Sequence, residues 1–235
     1  MARRRSGVLL RAVLLLAAWC AAVSALAQDS ERSRYYIQQM IDLAATHDET
    51  GVTTMQRMLE QEPRPTPRDP AAAREALQRG QAALRAADLN AALIAFQQAS
   101  HNDPSNIDAV NHLGLVERKL GRFPDAERDL QRALALEPTR ASAWFQLAQV
   151  YGLSEDRQRA RGALANTYRF AQNPMRAEEI LRNIAESETS DTLRTAALET
   201  LRLYQLPVEA AIVPPLPANP GIVPLETAPG SGPKP

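Results

Sequence analysis

The chain has 235 residues, with 27 Lys plus Arg against 27 Asp plus Glu, 17 Pro and one Cys. A formal net charge of zero lacks the basic excess that is usual in proteins that bind nucleic acid or anionic membranes, so nucleic acid is not an expected partner. One Cys and three His supply neither a thiolate zinc site with four ligands nor a disulfide framework.

The first 27 residues have the three-part layout of a secretory signal peptide. Arginines fill positions 3–5, an apolar run covers 12–23, and Ala25-Leu26-Ala27 precedes Gln28. The run is shorter than the ~20 residues that span a bilayer. We therefore predict cleavage between Ala27 and Gln28 and a periplasmic or secreted bacterial protein. An uncleaved N-terminal anchor and a lipoprotein acylated at Cys20 are alternatives.

Removal of residues 1–27 changes the charge of the chain. The segment holds four Arg and no acid, so the remaining 208 residues carry a net charge of about −4 and no Cys. An exported protein without Cys needs no oxidative folding, which fits the periplasm.

Proline divides the rest of the chain. Residues 63–70 hold four prolines in eight positions, and residues 207–235 hold nine in 29. Such stretches exclude helix interiors and central strands. We expect an N-terminal helical hairpin at 28–62, with helices at about 31–46 and 51–62, a linker at 63–70, a helical region at 71–206 and a disordered tail at 207–235.

The tail contains a short repeat of its own. Ile-Val-Pro occurs at 212–214 and again at 222–224, in sequence that favours extended polyproline structure. A featureless tail is one interpretation. The other is that the two copies dock on a partner or on a neighbouring copy of the chain.

An internal repeat of 34 residues covers 73–106, 107–140 and 141–174. Gly80 aligns with Gly114 and Ala148 at position 8 of the unit, and Pro104 aligns with Pro138 at position 32. Small residues at positions 8 and 20 allow two antiparallel helices to approach closely, and the apolar residue at position 24 fills the space around that contact. One unit cannot bury its apolar face alone, so the units must stack.

Two segments carry a family resemblance, NHLGLVERKLGRFPDAERDLQRALALEP in the second unit and AWFQLAQVYGLSEDRQRA in the third. They resemble the tetratricopeptide repeat (TPR) family. The resemblance implies an all-α, helix-turn-helix solenoid, a right-handed superhelix that binds proteins or peptides. In the third unit Glu155, Thr167 and Gln172 depart from the family pattern, so we expect a long helix at 155–171. Helices at 174–188 and 191–205 are expected to form a degenerate repeat or cap.

Catalytic and metal-binding patterns are lacking. His47, His101 and His112 have no metal-ligand spacing, and Glu178 and Glu179 point to different sides of a helix. The sequence has no Gly-rich phosphate loop, no G-x-S-x-G turn and no H-E-x-x-H motif. We predict no catalytic residue, no metal, no cofactor and no enzymatic activity.

The resemblance implies a concave groove lined by the first helix of each unit at positions 2, 5, 9, 12 and 13. Asn111 and Gln149 can bond a peptide backbone there, and Phe145 can accept an apolar side chain. Four bases and one acid predict a preference for acidic or C-terminal segments, with solvated surface charge as the alternative. The known carboxylate clamp of the family is not reproduced, because Leu77, Gln81 and His112 occupy its positions. The groove residues are Arg74, Leu77, Gln81, Leu84, Arg85, Asp108, Asn111, Leu115, Arg118, Lys119, Ser142, Phe145, Gln149, Gly152 and Leu153.

The sequence thus predicts a non-catalytic scaffold of the bacterial cell envelope that binds a protein or an acidic peptide, without stable membrane insertion after cleavage. Two other functions fit the same features. One is a structural accessory subunit of an envelope machine for pilus, secretion or exopolysaccharide assembly. The other is a regulator of a cell-wall enzyme.

Overall fold

The computed structural model describes residues 31–207, and over this range the all-α class predicted from the sequence is confirmed. The predicted signal peptide, its cleavage between Ala27 and Gln28 and the two Ile-Val-Pro copies lie outside the described residues. Within 31–207 no helix is both long and apolar enough to cross a bilayer. The helices are α1 (31–45), α2 (Glu49–Glu60), α3 (Pro70–Arg85), α4 (Leu89–Asn102), α5 (Ile107–Lys119), α6 (Phe123–Leu136), α7 (Ala141–Leu153), α8 (Arg157–Arg169), α9 (Pro174–Ser187) and α10 (Asp191–Leu203).

Close contacts between a small and a large residue hold each repeat hairpin together. A Cβ added to Gly80 of α3 would lie 2.6 Å from the ring of Phe96 on α4. A Cβ on Gly114 of α5 would lie 2.6 Å from Leu130 on α6. Position 8 therefore has to be small because position 24 of the same unit packs onto it. The hairpins α3–α4, α5–α6 and α7–α8 then stack, with α4 against α5 and α6 against α7.

The turn inside each hairpin uses one residue with left-handed backbone, at position 15. Ala87, Gly121 and Glu155 have φ of 58°, 74° and 61°. The following residue starts the next helix, and Asp156 caps α8 by accepting from the backbone N–H of Arg159 at 3.0 Å. Since the left-handed turn survives at Glu155, α8 has 13 residues rather than the longer span 155–171 expected from the sequence.

Helices α9 and α10 do not stack in the order of a repeat hairpin. The later helix, α10, packs against α7 and α8, which is where the first helix of a fourth unit would lie, and α9 packs mainly against α10. Ser190 before α10 donates to the carbonyl oxygen of Gly152 at 3.0 Å. At its end α10 has the same left-handed turn, at Gln205 with φ of 55°, 50 residues after Glu155 instead of 34. The helix α9 is thus an insertion ahead of a fourth first helix.

The N-terminal hairpin docks on the second helices of the repeats, a point that the sequence left open. The backbone of α1 lies so close to α8 that a Cβ on Gly162 would be 2.1 Å from the carbonyl oxygen of Ile41. Asn166 of α8 donates to the carbonyl oxygen of Met40 at 3.0 Å, and α2 packs against α6. At the end of α8, Arg169 donates to the carbonyl oxygen of Glu49 at 3.1 Å and forms an ion pair with its carboxylate.

Candidate functional site

The candidate site is the surface of the first helices α3, α5 and α7, which we call the groove face. The helix α5 packs against both α3 and α7, so the three helices lie side by side. Since the N-terminal hairpin lies against α6 and α8, it leaves the groove face on the opposite side of the hairpin layer. All predicted groove residues belong to these three helices.

The charged positions of the groove face differ in their surroundings. Arg74, Arg85 and Lys119 are exposed, as is Ser142. Asp108, the one predicted acid, forms an ion pair with Arg140, the residue that precedes α7. The one acid among the predicted groove residues is therefore neutralised by a neighbouring arginine.

Arg118 is held between helices rather than extended into solvent. Its Nε donates to Oε1 of Gln146 on α7 at 2.9 Å. Burial lowers the pKa of Arg118, and the carboxylate of Glu188 at the end of α9 opposes that shift. The inserted helix α9 thus brings an acid to the groove face, and the predicted excess of positive charge is smaller than the first helices alone indicate.

Two side-chain carbonyl oxygens on the groove face are buried without a donor. Asn111 of α5 is 8% exposed, and its Oδ1 accepts no hydrogen bond. The Oε1 atom of Gln149 on α7 is likewise buried and unpaired. A buried acceptor without a partner costs about 1–3 kcal/mol. Both atoms can therefore gain from a donor that a ligand supplies.

The apolar positions of the groove face are partly exposed. Phe145 packs with one side against the main core, and Leu115 of α5 is likewise partly buried. Gln81, on α3, is also partly buried. Phe145 and Leu115 thus leave apolar surface on α7 and α5, and Gln81 adds a polar amide on α3.

Three residues of this surface are not among the positions predicted from the sequence. Gln146 stands at position 6 of its unit, outside the five positions considered, and Arg140 precedes its helix. Glu188 follows the inserted α9, so no repeat spacing could place it near Arg118. Of the three, only Gln146 could have been considered from the sequence, because it adjoins position 5 of its unit.

A pair of buried acids lies between α5 and α6, away from the groove residues. Glu117 is 3% exposed and Asp129 is 2% exposed. Burial, together with the neighbouring carboxylate of Asp129, raises the pKa of Glu117 to about 8. Asp129 accepts from Arg132 at 2.7 Å and from Arg128 at 3.1 Å. At neutral pH Glu117 is therefore mostly protonated.

The position of Glu117 is occupied differently in the next unit. Position 11, which Glu117 fills, holds Tyr151 in the third unit, where the hydroxyl donates to Glu127 at 3.0 Å. The shorter Glu117 side chain lies beside a polar cavity of about 440 Å³ that Arg132 also lines.

The three histidines have separate partners. The ring of His47 lies 4.8 Å from that of Tyr204, and the ring of His112 stacks on Phe96 at 5.1 Å. His101 lies beside Arg68 of the linker. Among residues 31–207, no three His, Cys, Asp or Glu side chains come together as a metal site would require.

Comparison of the sequence with family models identifies the repeat. Two tetratricopeptide repeat models match the chain, one at residues 77–126 and the other at 107–150. Cellulose synthase operon protein C of Komagataeibacter xylinus is 41% identical over 69 residues, which is 29% of this chain. The matched part spans only 5% of that protein.

The solved structures that the chain matches in part include a Thermobaculum terrenum O-GlcNAc transferase variant and MamA. The transferase is 27% identical, with a TM-score of 0.46 over 60% of this chain and 28% of its own. Two crystal structures of MamA are 23% and 20% identical, with TM-scores of 0.46 and 0.47. They cover 58% and 74% of this chain and 81% and 93% of their own. The matches of the two models show that residues 77–150 carry repeats of the tetratricopeptide family.

Proposed function

We propose that this chain is a non-catalytic scaffold that binds an extended segment of another protein on the groove face. The observation that carries the proposal is the pair of unpaired, buried acceptors, Asn111 Oδ1 and Gln149 Oε1, on neighbouring first helices. An extended peptide offers backbone N–H donors, and pairing them with these oxygens would remove the cost of leaving the oxygens unpaired.

The spacing of the two helices suits one peptide strand. Packed helices lie about 8–10 Å apart. An extended chain presents backbone N–H groups on the same side every ~6.6 Å. Gln149 also stands four positions later in its unit than Asn111, or about 6 Å of helix rise, so the two amides are roughly 10–12 Å apart. A single segment that crosses α5 and α7 can donate to both from N–H groups four residues apart, roughly 13 Å, when the amide side chains adjust.

Side-chain preferences of the partner follow from the neighbouring residues. Phe145 and Leu115 offer apolar surface, and Lys119 is an exposed cation at the end of α5. Arg118 and Glu188 offset each other in part, so charge alone gives a weak preference. We propose a partner segment with one large apolar residue and an acidic residue placed toward Lys119.

The test is selection of peptides from a random library by the full chain, followed by affinity measurements on variants. Gln149→Leu should lower the affinity for the selected peptides about tenfold. The variant loses one neutral hydrogen bond from a peptide N–H, and that N–H is left unpaired. The matched control is Gln158→Leu on α8, an exposed glutamine outside the groove face, which should bind as the parent chain does. Equal loss in both variants, or no change in either, would contradict the proposal.

A fold measurement separates a binding defect from unfolding. Gln149→Leu removes an acceptor that has no donor in the structure, so its thermal unfolding temperature should stay unchanged or rise. A lower unfolding temperature would mean that the side chain stabilises the fold, and the weaker binding would then say nothing about peptide contacts.

The cell envelope is the proposed setting. Its support is the predicted signal peptide at 1–27 and the short match to a protein that is named for a cellulose synthase operon. The measurement is fractionation of the source bacterium with N-terminal sequencing of the mature chain. A mature chain that begins at Gln28 in the periplasm supports the setting, and an intact chain in the cytoplasm contradicts it.

The same match favours one second candidate, an accessory subunit of an exopolysaccharide assembly machine. Under this function the chain would copurify with a polysaccharide synthase complex, and deletion of its gene would lower polymer output. Normal output after deletion would reject this candidate while leaving the peptide-binding proposal intact.

A further inference from the structure

We infer that the second Ile-Val-Pro copy, residues 221–226, docks on its own chain in a cleft between the Pro-rich linker and α6. This linker cleft has a volume of about 570 Å³. Its apolar lining comes from Ile37 of α1, Leu59 of α2, Pro63 and Pro65 of the linker, and Ala135 and Leu136 of α6. The inference does not depend on the groove face.

The linker forms a fixed wall of the cleft. The guanidinium of Arg64 donates to the carbonyl oxygen of Leu136 at 3.2 Å. Farther along, the backbone N–H groups of Arg68 and Asp69 donate to the carbonyl oxygen of Asn102 at 2.8 and 3.0 Å. The wall is therefore tied to the ends of α4 and α6, and the cleft exists before anything enters it.

The linker cleft selects its occupant by shape and apolar surface. Pro63 and Pro65 have no backbone N–H, so this wall cannot pair with an incoming strand through donors at those positions. Burial of apolar side chains must supply most of the binding. Gly221-Ile-Val-Pro-Leu225 offers three aliphatic side chains and a proline. The proline has no backbone N–H, so none is left unpaired in the cleft.

Charge around the cleft favours an acid at the end of the docked segment. Arg34, Arg64, Arg128 and Arg132 line it, against Glu60 and Glu62. Arg128 and Arg132 pair with Asp125 and Asp129, and Glu62 pairs with Arg32. The lining then has two further cations, Arg34 and Arg64, against one further acid, Glu60. In the second copy Glu226 follows Leu225 directly, whereas the first copy is followed by Pro217-Ala-Asn-Pro220 with no acid.

Reach also distinguishes the two copies. The chain leaves the described region at Pro207, three residues after Tyr204, whose ring contacts His47 at the end of α1. The cleft lies toward the other end of α1, a helix about 22 Å long for its 15 residues. Ile212 is five residues from Pro207, or roughly 16 Å of extended chain, and Ile222 is fifteen residues away, or roughly 46 Å. The second copy spans the distance with chain to spare.

Disulfide trapping in the full chain tests the inference. With Cys20→Ser as background, the pair Ala135→Cys and Val223→Cys should form an intramolecular disulfide at least tenfold faster than the matched pair Ala135→Cys and Val213→Cys. Adding Glu226→Lys should slow trapping several-fold, and adding Glu209→Lys should leave it unchanged. Equal rates for the two pairs, or a disulfide-linked dimer as the main product of the Val223→Cys pair, would overturn the inference.

Amide exchange provides a second readout that needs no new cysteine. Replacing Ile222 and Val223 with Ser should speed exchange in 55–62 and 131–136, which border the linker cleft, because the occupant is lost. The matched replacement of Ile212 and Val213 should leave those segments unchanged. Identical exchange in both variants and the parent chain would also contradict docking at this site.

Discussion

Replacement of Glu117 with Gln should make the protein more stable at neutral pH. The native pKa of Glu117 is raised to about 8, against 4.5 for an unperturbed side chain, because the carboxyl is buried and faces Asp129. Native Glu117 therefore holds its proton more tightly than the unfolded chain does, and its favourable contribution is full below pH 4.5 and is lost as the pH rises toward 8. One pKa unit corresponds to about 1.4 kcal/mol, so the penalty at pH 7 is roughly 3 kcal/mol.

The glutamine keeps the shape of Glu117 and cannot ionise. Its amide can donate to Asp129 in place of the carboxyl proton. Chemical denaturation at several pH values between 5 and 8.5 gives the free energy of unfolding for both chains. The free energy of unfolding of the variant should rise relative to that of the parent as the pH rises. Between the two pKa values the difference should grow by about 1.4 kcal/mol per pH unit.

A matched control is Glu75→Gln on α3, at an exposed position, which should change the free energy of unfolding less than Glu117→Gln does. If the curves of Glu117→Gln and the parent stay parallel from pH 5 to 8.5, the buried acid is not protonated in the native state and the reasoning is wrong.

Three further substitutions test the packing. Glu155→Gly should stabilise the fold by about 0.5–1 kcal/mol in chemical denaturation, because φ is 61° there, and a loss would show that the left-handed turn is not strained. Gly162→Ala should destabilise the fold by about 1–3 kcal/mol and speed amide exchange in α1, because the added Cβ would meet the carbonyl oxygen of Ile41. Unchanged exchange in α1 would contradict the docking of the N-terminal hairpin on α8. Trp144→Phe removes the hydrogen bond of 2.8 Å from Nε1 to the carbonyl oxygen of Pro138. The free energy of unfolding should fall by about 1–3 kcal/mol. An unchanged free energy would contradict a stabilising role for this buried bond.

The repeat itself was readable from sequence because each recurring residue has one mechanical role. Gly80 and Gly114 had to be small if helices were to touch, and each indeed meets the large residue at position 24. Position 15 needed a left-handed turn, and even Glu155 adopts it. The contacts of Gly80 and Gly114 lie within one unit, so the 34-residue spacing was sufficient to predict them. The turn at Glu155 was not predicted, because the residue type there departs from the family pattern.

The order of the last two helices was not readable in the same way. Ala177, Leu181 and Ile184 of α9 form a buried stripe like that of a repeat helix. Periodicity says that such a stripe is buried but does not say against which neighbour. In the structure α10, not α9, packs against α7 and α8. Nothing in the sequence indicated this order, so the effect of Glu188 on Arg118 could not be predicted from it.

Docking of the N-terminal hairpin left one sign in the sequence. Gly162 stands inside α8 at position 22, where the other units have Ile94 and Arg128. A glycine in a helix interior costs about 1 kcal/mol relative to alanine, so it often marks a close backbone approach. The partner of that approach, α1, is more than 100 residues away along the chain and follows no repeat, which is why sequence reasoning could not name it.

The central claim is that the groove face of α3, α5 and α7 binds an extended peptide. Hydrogen–deuterium exchange of the full chain with and without a library-selected peptide tests it most directly. We predict slower exchange in α5 and α7, centred on Asn111 and Gln149, with α4 and α6 unchanged. Protection confined to the second helices or to the linker cleft, with α5 and α7 unchanged, would contradict the account.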